Sequence, residues 1–169
     1  MSKNFNSNTI NRDEWLTPPA IIQALGPFDL DPCAPVVRPW PMAQTHYTSA
    51  GCGGLNAPWF GRVWLNPPYG TETFKWMERL ANHGKGIALI FSRTETRGFH
   101  HSIWEKANAI FFFKGRLCFH YVTGEKARSA NAPSCLVSYS KEDTAIIRKA
   151  KEEGKLNGHL VSLRCASHA

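Results

Sequence analysis

A single α/β domain built on a mixed sheet is what this chain predicts, and three observations carry that expectation. Apolar runs with strand character alternate with segments of helical periodicity along most of the length. Strand-like runs crowd the C-terminal half, so an antiparallel hairpin is expected to join the sheet. The 169 residues suit one compact domain with one sizeable core, and 43% hydrophobic against 20% charged residues is a globular rather than a disordered balance.

The elements follow in order. Residues 1–12 read as a flexible polar leader, and residues 13–169 as the domain. Residues 17–26 read as a short helix: Thr17 can cap it, Pro18 suits its first turn and Gly26 its stop. Residues 28–31 form a short strand ending on a carboxylate, and the Pro- and Gly-rich residues 32–60 read mostly as loop. Residues 62–65 are an apolar strand that runs into Asn66-Pro67-Pro68-Tyr69. Phe74, Met77 and Leu80 stand at helical spacing within residues 72–82. Residues 86–91 and 109–113 are continuously apolar, as buried strands are, and residues 99–106 between them read as helical. Residues 118–121 and 135–139 are strands separated by a basic, Gly-containing loop; residues 141–153 form a charged helix and residues 159–163 a last strand.

Bulk properties narrow the function classes. No apolar run approaches the roughly 20 residues of a membrane helix, and the N-terminus has no apolar signal-peptide core. A cytoplasmic location, with no membrane partner, is therefore expected. Cys33, Cys52, Cys118, Cys135 and Cys165 are odd in number and never at CxxC spacing, so they read as small hydrophobes, with neither a disulfide framework nor a metal site. Twenty Lys and Arg against 13 Asp and Glu give a net charge of +7, which attracts polyanions. No oligomeric state is encoded in any motif; a monomer is compatible with the chain.

Asn66-Pro67-Pro68-Tyr69 carries the most chemistry. Methyl transfer to an exocyclic amine must overcome delocalisation of the nitrogen lone pair into the ring. Acceptors aimed at the two N–H bonds favour a more tetrahedral nitrogen. The Asn66 oxygen can be one acceptor and the Pro67 carbonyl the other. Two prolines fix φ and hold the acceptors rigid before reaction. Tyr69 can stack on a base, a contact worth about 1–3 kcal/mol. No strong general base is needed, because the nitrogen proton becomes acidic once the methyl is attached. As a tetrapeptide alone, Asn-Pro-Pro-Tyr is also an ordinary turn.

A methyl donor needs its own pocket, and open α/β sheets bind ligands beyond the carboxyl ends of their strands, where Asp31 and Asn66 both stand. Asp31 can accept from an amino group or a ribose hydroxyl, or cap the turn at Pro32. Asp29 shares its face if the strand is regular, and reads equally as a surface carboxylate. The Thr17-Pro18 turn opens a helix whose free N–H groups can take a carboxylate, or serve only as a cap.

Taken together, Trp15-Leu16-Thr17-Pro18-Pro19, then Phe28-Asp29-Leu30-Asp31-Pro32-Cys33-Ala34, then Trp64-Leu65-Asn66-Pro67-Pro68-Tyr69 resemble the phage-type DNA N6-adenine methyltransferases, a small Dam-like family. The likeness continues through Ser92-Arg93-Thr94-Glu95-Thr96, Phe99-His100, Lys114-Gly115-Arg116-Leu117-Cys118-Phe119 and Ala132-Pro133-Ser134. The resemblance implies a Rossmann-like fold using S-adenosylmethionine. It assigns catalysis to Asn66, Pro67, Pro68 and Tyr69. It assigns donor contacts to Thr17, Pro18, Asp31, Pro32, Cys33 and Ala34, with Trp15 lining the same pocket. Two departures stand out: Pro35-Val36-Val37-Arg38-Pro39 replaces a Gly-rich donor loop, and Gly53 precedes Gly54-Leu55 where the family often has an acid.

The partner implied is DNA. Phosphate contacts are expected from Arg93, Arg97, Lys114, Arg116, Lys126 and Arg128, chiefly on the basic loop of residues 114–131, with His100 and His101 a second set; each also reads as a solvated surface charge. Arg148, Lys149 and Lys151 have acidic neighbours and read as an exposed helix face. A methyltransferase acting on cytosine N4, an RNA base or a protein glutamine is the enzymatic alternative, and a DNA-binding module with a decayed site the non-enzymatic one.

Overall fold

The computed structural model describes residues 15–48 and 53–164; the leader expected at residues 1–12 lies outside them. In chain order the elements are α1 (Pro19–Leu25), β1 (Leu30–Ala34), β2 (Thr45–Thr48), β3 (Val63–Leu65), α2 (Thr73–His83), β4 (Gly86–Phe91), α3 (Arg97–Phe99) with a π-helical turn His100–Trp104, β5 (Ala109–Phe113), β6 (Cys118–His120), β7 (Lys126–Ser129), β8 (Ser134–Ser138), α4 (Lys141–Glu152) and β9 (Gly158–Ser162). Seven strands form one mixed sheet in the order β2-β1-β3-β4-β8-β5-β9, and β6 and β7 pair separately. No described helix is long and apolar enough to cross a membrane.

The period-two alternation of a strand explains the layering. Trp64, Ile87, Leu89, Phe111 and Leu136 point to one face, where Ile21 and Leu25 of α1 and Ile147 and Ala150 of α4 cover them. Val63, Leu65, Ala88, Ile90, Ile110, Cys135 and Val137 point to the other, against Trp76, Met77 and Leu80 of α2 and Phe99 and Ile103 of the α3 segment. Both faces are thus covered, so the central strands are apolar throughout. Each fully buried Leu, Ile or Phe contributes about 1.5–3 kcal/mol relative to exposure. One buried ion pair ties the layers: Arg62 Nε lies 2.6 Å from Asp143, whose second oxygen accepts from Gly86 N at 2.8 Å and from Ser140 Oγ.

Several boundaries differ from expectation for identifiable reasons. The first helix begins at Pro19, because a residue before proline is pushed out of the helical region; Pro18 has ψ of 131° and stands at the N-cap, and no side chain caps the helix. Thr17 is therefore not a cap, and Pro18 is outside the first turn. β1 continues through Pro32 to Ala34 because a register irregularity between Asp31 and Ala34 accommodates the missing N–H. Asp29 precedes the strand and accepts from Arg62 N at 2.6 Å. β2 interrupts the segment read as loop. The expected helix at residues 99–106 is the short α3 followed by a π turn, with Thr96 Oγ1 accepting from Phe99 N. The basic stretch holds β7, which pairs with β6 outside the main sheet. The antiparallel members of the main sheet are β8 and β9, joined through α4 rather than as a hairpin.

Strands β1 to β4 run parallel, and β5, antiparallel to β8, points the same way, so the carboxyl ends of all five share one edge. The order β2-β1-β3 means that the chain leaves β1 to one side and returns on the other. The crevice between the ends of β1 and β3 is thereby created.

Candidate active site

A cavity of about 580 Å³ opens at that crevice. It is lined by Trp15, by Pro32 to Pro35 at the end of β1, by Thr48, by Gly53 to Asn56, by Asn66 to Tyr69 after β3, and by Trp76 of α2. Its size suits a small ligand of nucleoside class or larger. No described lining residue is acidic or basic.

Asn66 is held at both ends of its amide. Nδ2 donates to the Trp15 carbonyl at 3.0 Å, and Oδ1 accepts from the Tyr69 hydroxyl at 3.2 Å. The Trp15 carbonyl can only accept, so it fixes which end of the amide is the nitrogen. An amide oxygen has two lone pairs, so Oδ1 keeps capacity for a further donor. The tight turn is secured by Thr73, whose hydroxyl donates to Pro68 O at 2.7 Å and accepts from Gly70 N at 3.0 Å. Tyr69 stacks on Phe91 with centroids 4.1 Å apart and planes 10° from parallel, and meets Phe119 edge-on at 6.4 Å. Burial raises the Tyr69 hydroxyl well above the usual phenol range, so it is a hydrogen-bond donor at neutral pH.

Pro32, Cys33, Ala34 and Trp15 are brought to the cavity; Thr17, Pro18 and Asp31 are not among its lining. Thr17 is only 1% exposed and its hydroxyl has no partner among the described residues. Asp31 is buried and accepts from Cys33 N at 3.0 Å, which shapes the turn whose backbone lines the cavity. Burial pushes its carboxyl up to about 7, against the pull of the Cys33 N–H and of Arg38. Pro35 alone of the segment replacing a Gly-rich loop reaches the lining.

Thr48, Gly54, Leu55, Asn56 and Trp76 line the cavity without being expected from sequence. The Gly53-Gly54 pair is the available signal. A Cβ on Gly54 would sit 1.7 Å from the Pro32 carbonyl oxygen, so only glycine lets this loop pack on the β1 turn.

The β6–β7 hairpin reaches the site through the N-terminal segment. Leu16 and His120 exchange backbone hydrogen bonds of 2.8 and 3.0 Å, and the Trp15 and Tyr121 rings lie 5.5 Å apart. The hairpin thus braces the residue whose carbonyl orients Asn66. Arg93, Arg97, Lys114, Arg116, Lys126 and Arg128 are all exposed. Arg93 follows β4 and Lys114 and Arg116 follow β5, at the edge that carries the cavity. None of the six pairs with a described carboxylate. His101, in contrast, lies 3.7 Å from Glu78 and 3.3 Å from Glu105. Among the described residues no cluster of three or more His, Cys, Asp or Glu is arranged to hold a metal.

Compared with known proteins, the chain matches the family described as DNA N-6-adenine-methyltransferase (Dam) over residues 5–161. No curated protein and no solved structure matches it.

Proposed function

The chain belongs to the DNA N-6-adenine-methyltransferase (Dam) family, and from that membership we propose that it transfers a methyl group from S-adenosylmethionine to N6 of an adenine turned out of the DNA stack. The observation that carries this reading is the Asn66 amide, oriented by the Trp15 carbonyl at the rim of a cavity at the β1–β3 switch point. A ligand crevice at such a point is the Rossmann-like arrangement, and the fold supports that assignment.

The residues fit the donor. The Pro32 to Pro35 turn and the Gly54 loop, packed on each other so closely that only glycine fits at position 54, form a cradle, and Trp15, Leu55 and Trp76 give it apolar walls. When bound there, S-adenosylmethionine supplies an electrophilic methyl. The chain's own groups do the rest. Asn66 Oδ1 and the Pro67 carbonyl accept the two N–H bonds of the amine and turn its lone pair toward the methyl. The prolines hold these acceptors in place beforehand, so little reorganisation accompanies reaction. One face of Tyr69 is occupied by Phe91, and the base stacks on the other. No lining carboxylate, histidine or lysine is available as a base among the described residues, which suits a reaction whose proton leaves to water after transfer. Extruding the base costs a few kcal/mol, offset by phosphate contacts from the cations along the same edge.

The test is Asn66→Ala. Turnover falls by roughly 100-fold or more, while affinity for S-adenosylhomocysteine, measured by calorimetry, changes less than about twofold. Methyl transfer at the wild-type rate by this variant contradicts the assignment.

A further inference from the structure

Polar residues reach the cavity wall from three places. Asn66 and Tyr69 follow β3, Thr48 ends β2 on the far side of β1, and Asn56 lies on the loop between β2 and β3. In nucleotide-binding sheets a carboxylate about 20 residues beyond the first turn, at the end of the next strand, takes the ribose hydroxyl. Thr48, the last residue of β2, stands at the corresponding place here, and no Asp or Glu occurs anywhere from Thr48 to Asn56.

The loop that presents Asn56 is firmly held. Gly54 packs directly on the Pro32 carbonyl. Trp59 Nε1 donates to Gly54 O at 2.6 Å, and Arg79 Nη2 donates to Ala57 O at 2.5 Å. Trp59 stacks on Trp76, itself a lining residue, with centroids 6.4 Å apart. Asn56 N closes the turn on Gly53 O at 2.8 Å. The Asn56 side-chain amide and the Thr48 hydroxyl, by contrast, are engaged by no described residue.

We propose that Thr48 and Asn56 hold the ribose hydroxyls of the donor as neutral partners, in the position a carboxylate takes in related sheets. The inference rests on the reading of the cavity as the donor site. A vicinal diol offers two donors and two acceptors. The Asn56 amide supplies both roles side by side, and the Thr48 hydroxyl supplies either. Neutral hydrogen bonds are about half as strong as charge-assisted ones, so grip on the ribose is modest and can be strengthened by adding a charge.

Calorimetry on the full chain tests this with S-adenosylhomocysteine and its analogue lacking both ribose hydroxyls. Asn56→Ala and Thr48→Val are each expected to weaken S-adenosylhomocysteine roughly 2- to 10-fold and to leave affinity for the analogue unchanged. Asn56→Asp is expected to tighten S-adenosylhomocysteine several-fold. Unchanged affinity in both truncation variants, or an equal loss for both ligands, overturns the proposal. If the wild-type chain binds neither ligand, the donor-site reading fails and takes the proposal with it. If the wild type binds and only the variants fail to shift, the ribose assignment alone falls.

Discussion

Asp31 is 3% exposed, and burial holds its carboxyl at about 7 rather than the usual 3.8. Between those two values the folded chain keeps a proton that the unfolded chain has lost. Stability therefore falls as pH rises from about 4 to about 7, and the full penalty applies above that. An asparagine in place of the acid would still accept from Cys33 N without carrying charge. We expect Asp31→Asn to be more stable than wild type at pH 8, on the order of a few kcal/mol, and equal to it near pH 4, as read by urea denaturation across pH. A variant with unchanged pH dependence removes Asp31 as its source. The residues proposed to act on the amine are legible at this scale because Asn66, Pro67, Pro68 and Tyr69 are contiguous and their chemistry is local. The group that orients Asn66 is not. It is the backbone carbonyl of Trp15, 51 residues away in sequence, and no side-chain pattern announces a carbonyl. The expected Thr17 cap fails on a local rule, since Pro19 denies Pro18 a helical backbone.

Among the elements, the β6–β7 hairpin has the most consequential position. It contacts Leu16 through paired backbone bonds and Trp15 through Tyr121, and so bears on Asn66 without touching it. Tyr121→Ala is expected to lower kcat about tenfold, since small misplacement of an acceptor is costly, and to leave S-adenosylhomocysteine affinity within about twofold. Tyr121→Phe keeps the ring packing and restores kcat. Equal kcat in the alanine variant and wild type shows that the brace is dispensable. The long apolar strands β4 and β5 are legible to the residue, because continuous apolar runs bounded by polar residues leave little choice of ends. β2 and β7 are not, because neither has such a run. β2 is a half-buried edge strand in a Pro- and Gly-rich region, and β7 exposes three of its four residues. Their pairing is set by partners distant in sequence, which local propensity does not register.

Across the whole molecule, charge and topology converge. The chain carries a net charge of +7. Arg93, Lys114 and Arg116 follow strands whose carboxyl ends share the cavity's edge, and Lys126 and Arg128 stand on the hairpin that braces it. Their freedom from described carboxylates leaves them available to phosphates. Arg116→Ala is accordingly expected to weaken DNA binding and to lower the slope of log affinity against log salt by about 1. An unchanged slope takes Arg116 out of the interface. Fold class is legible from alternation alone, whereas the switch point is not, since strand order depends on crossovers that the sequence does not number.

The most direct test of the central claim is transfer of labelled methyl from S-adenosylmethionine to unmethylated DNA, with nucleoside analysis of the product. Label in N6-methyladenine, abolished by Asn66→Ala, is the predicted result. Label in N4-methylcytosine, or none in DNA from a chain that binds S-adenosylhomocysteine, contradicts it.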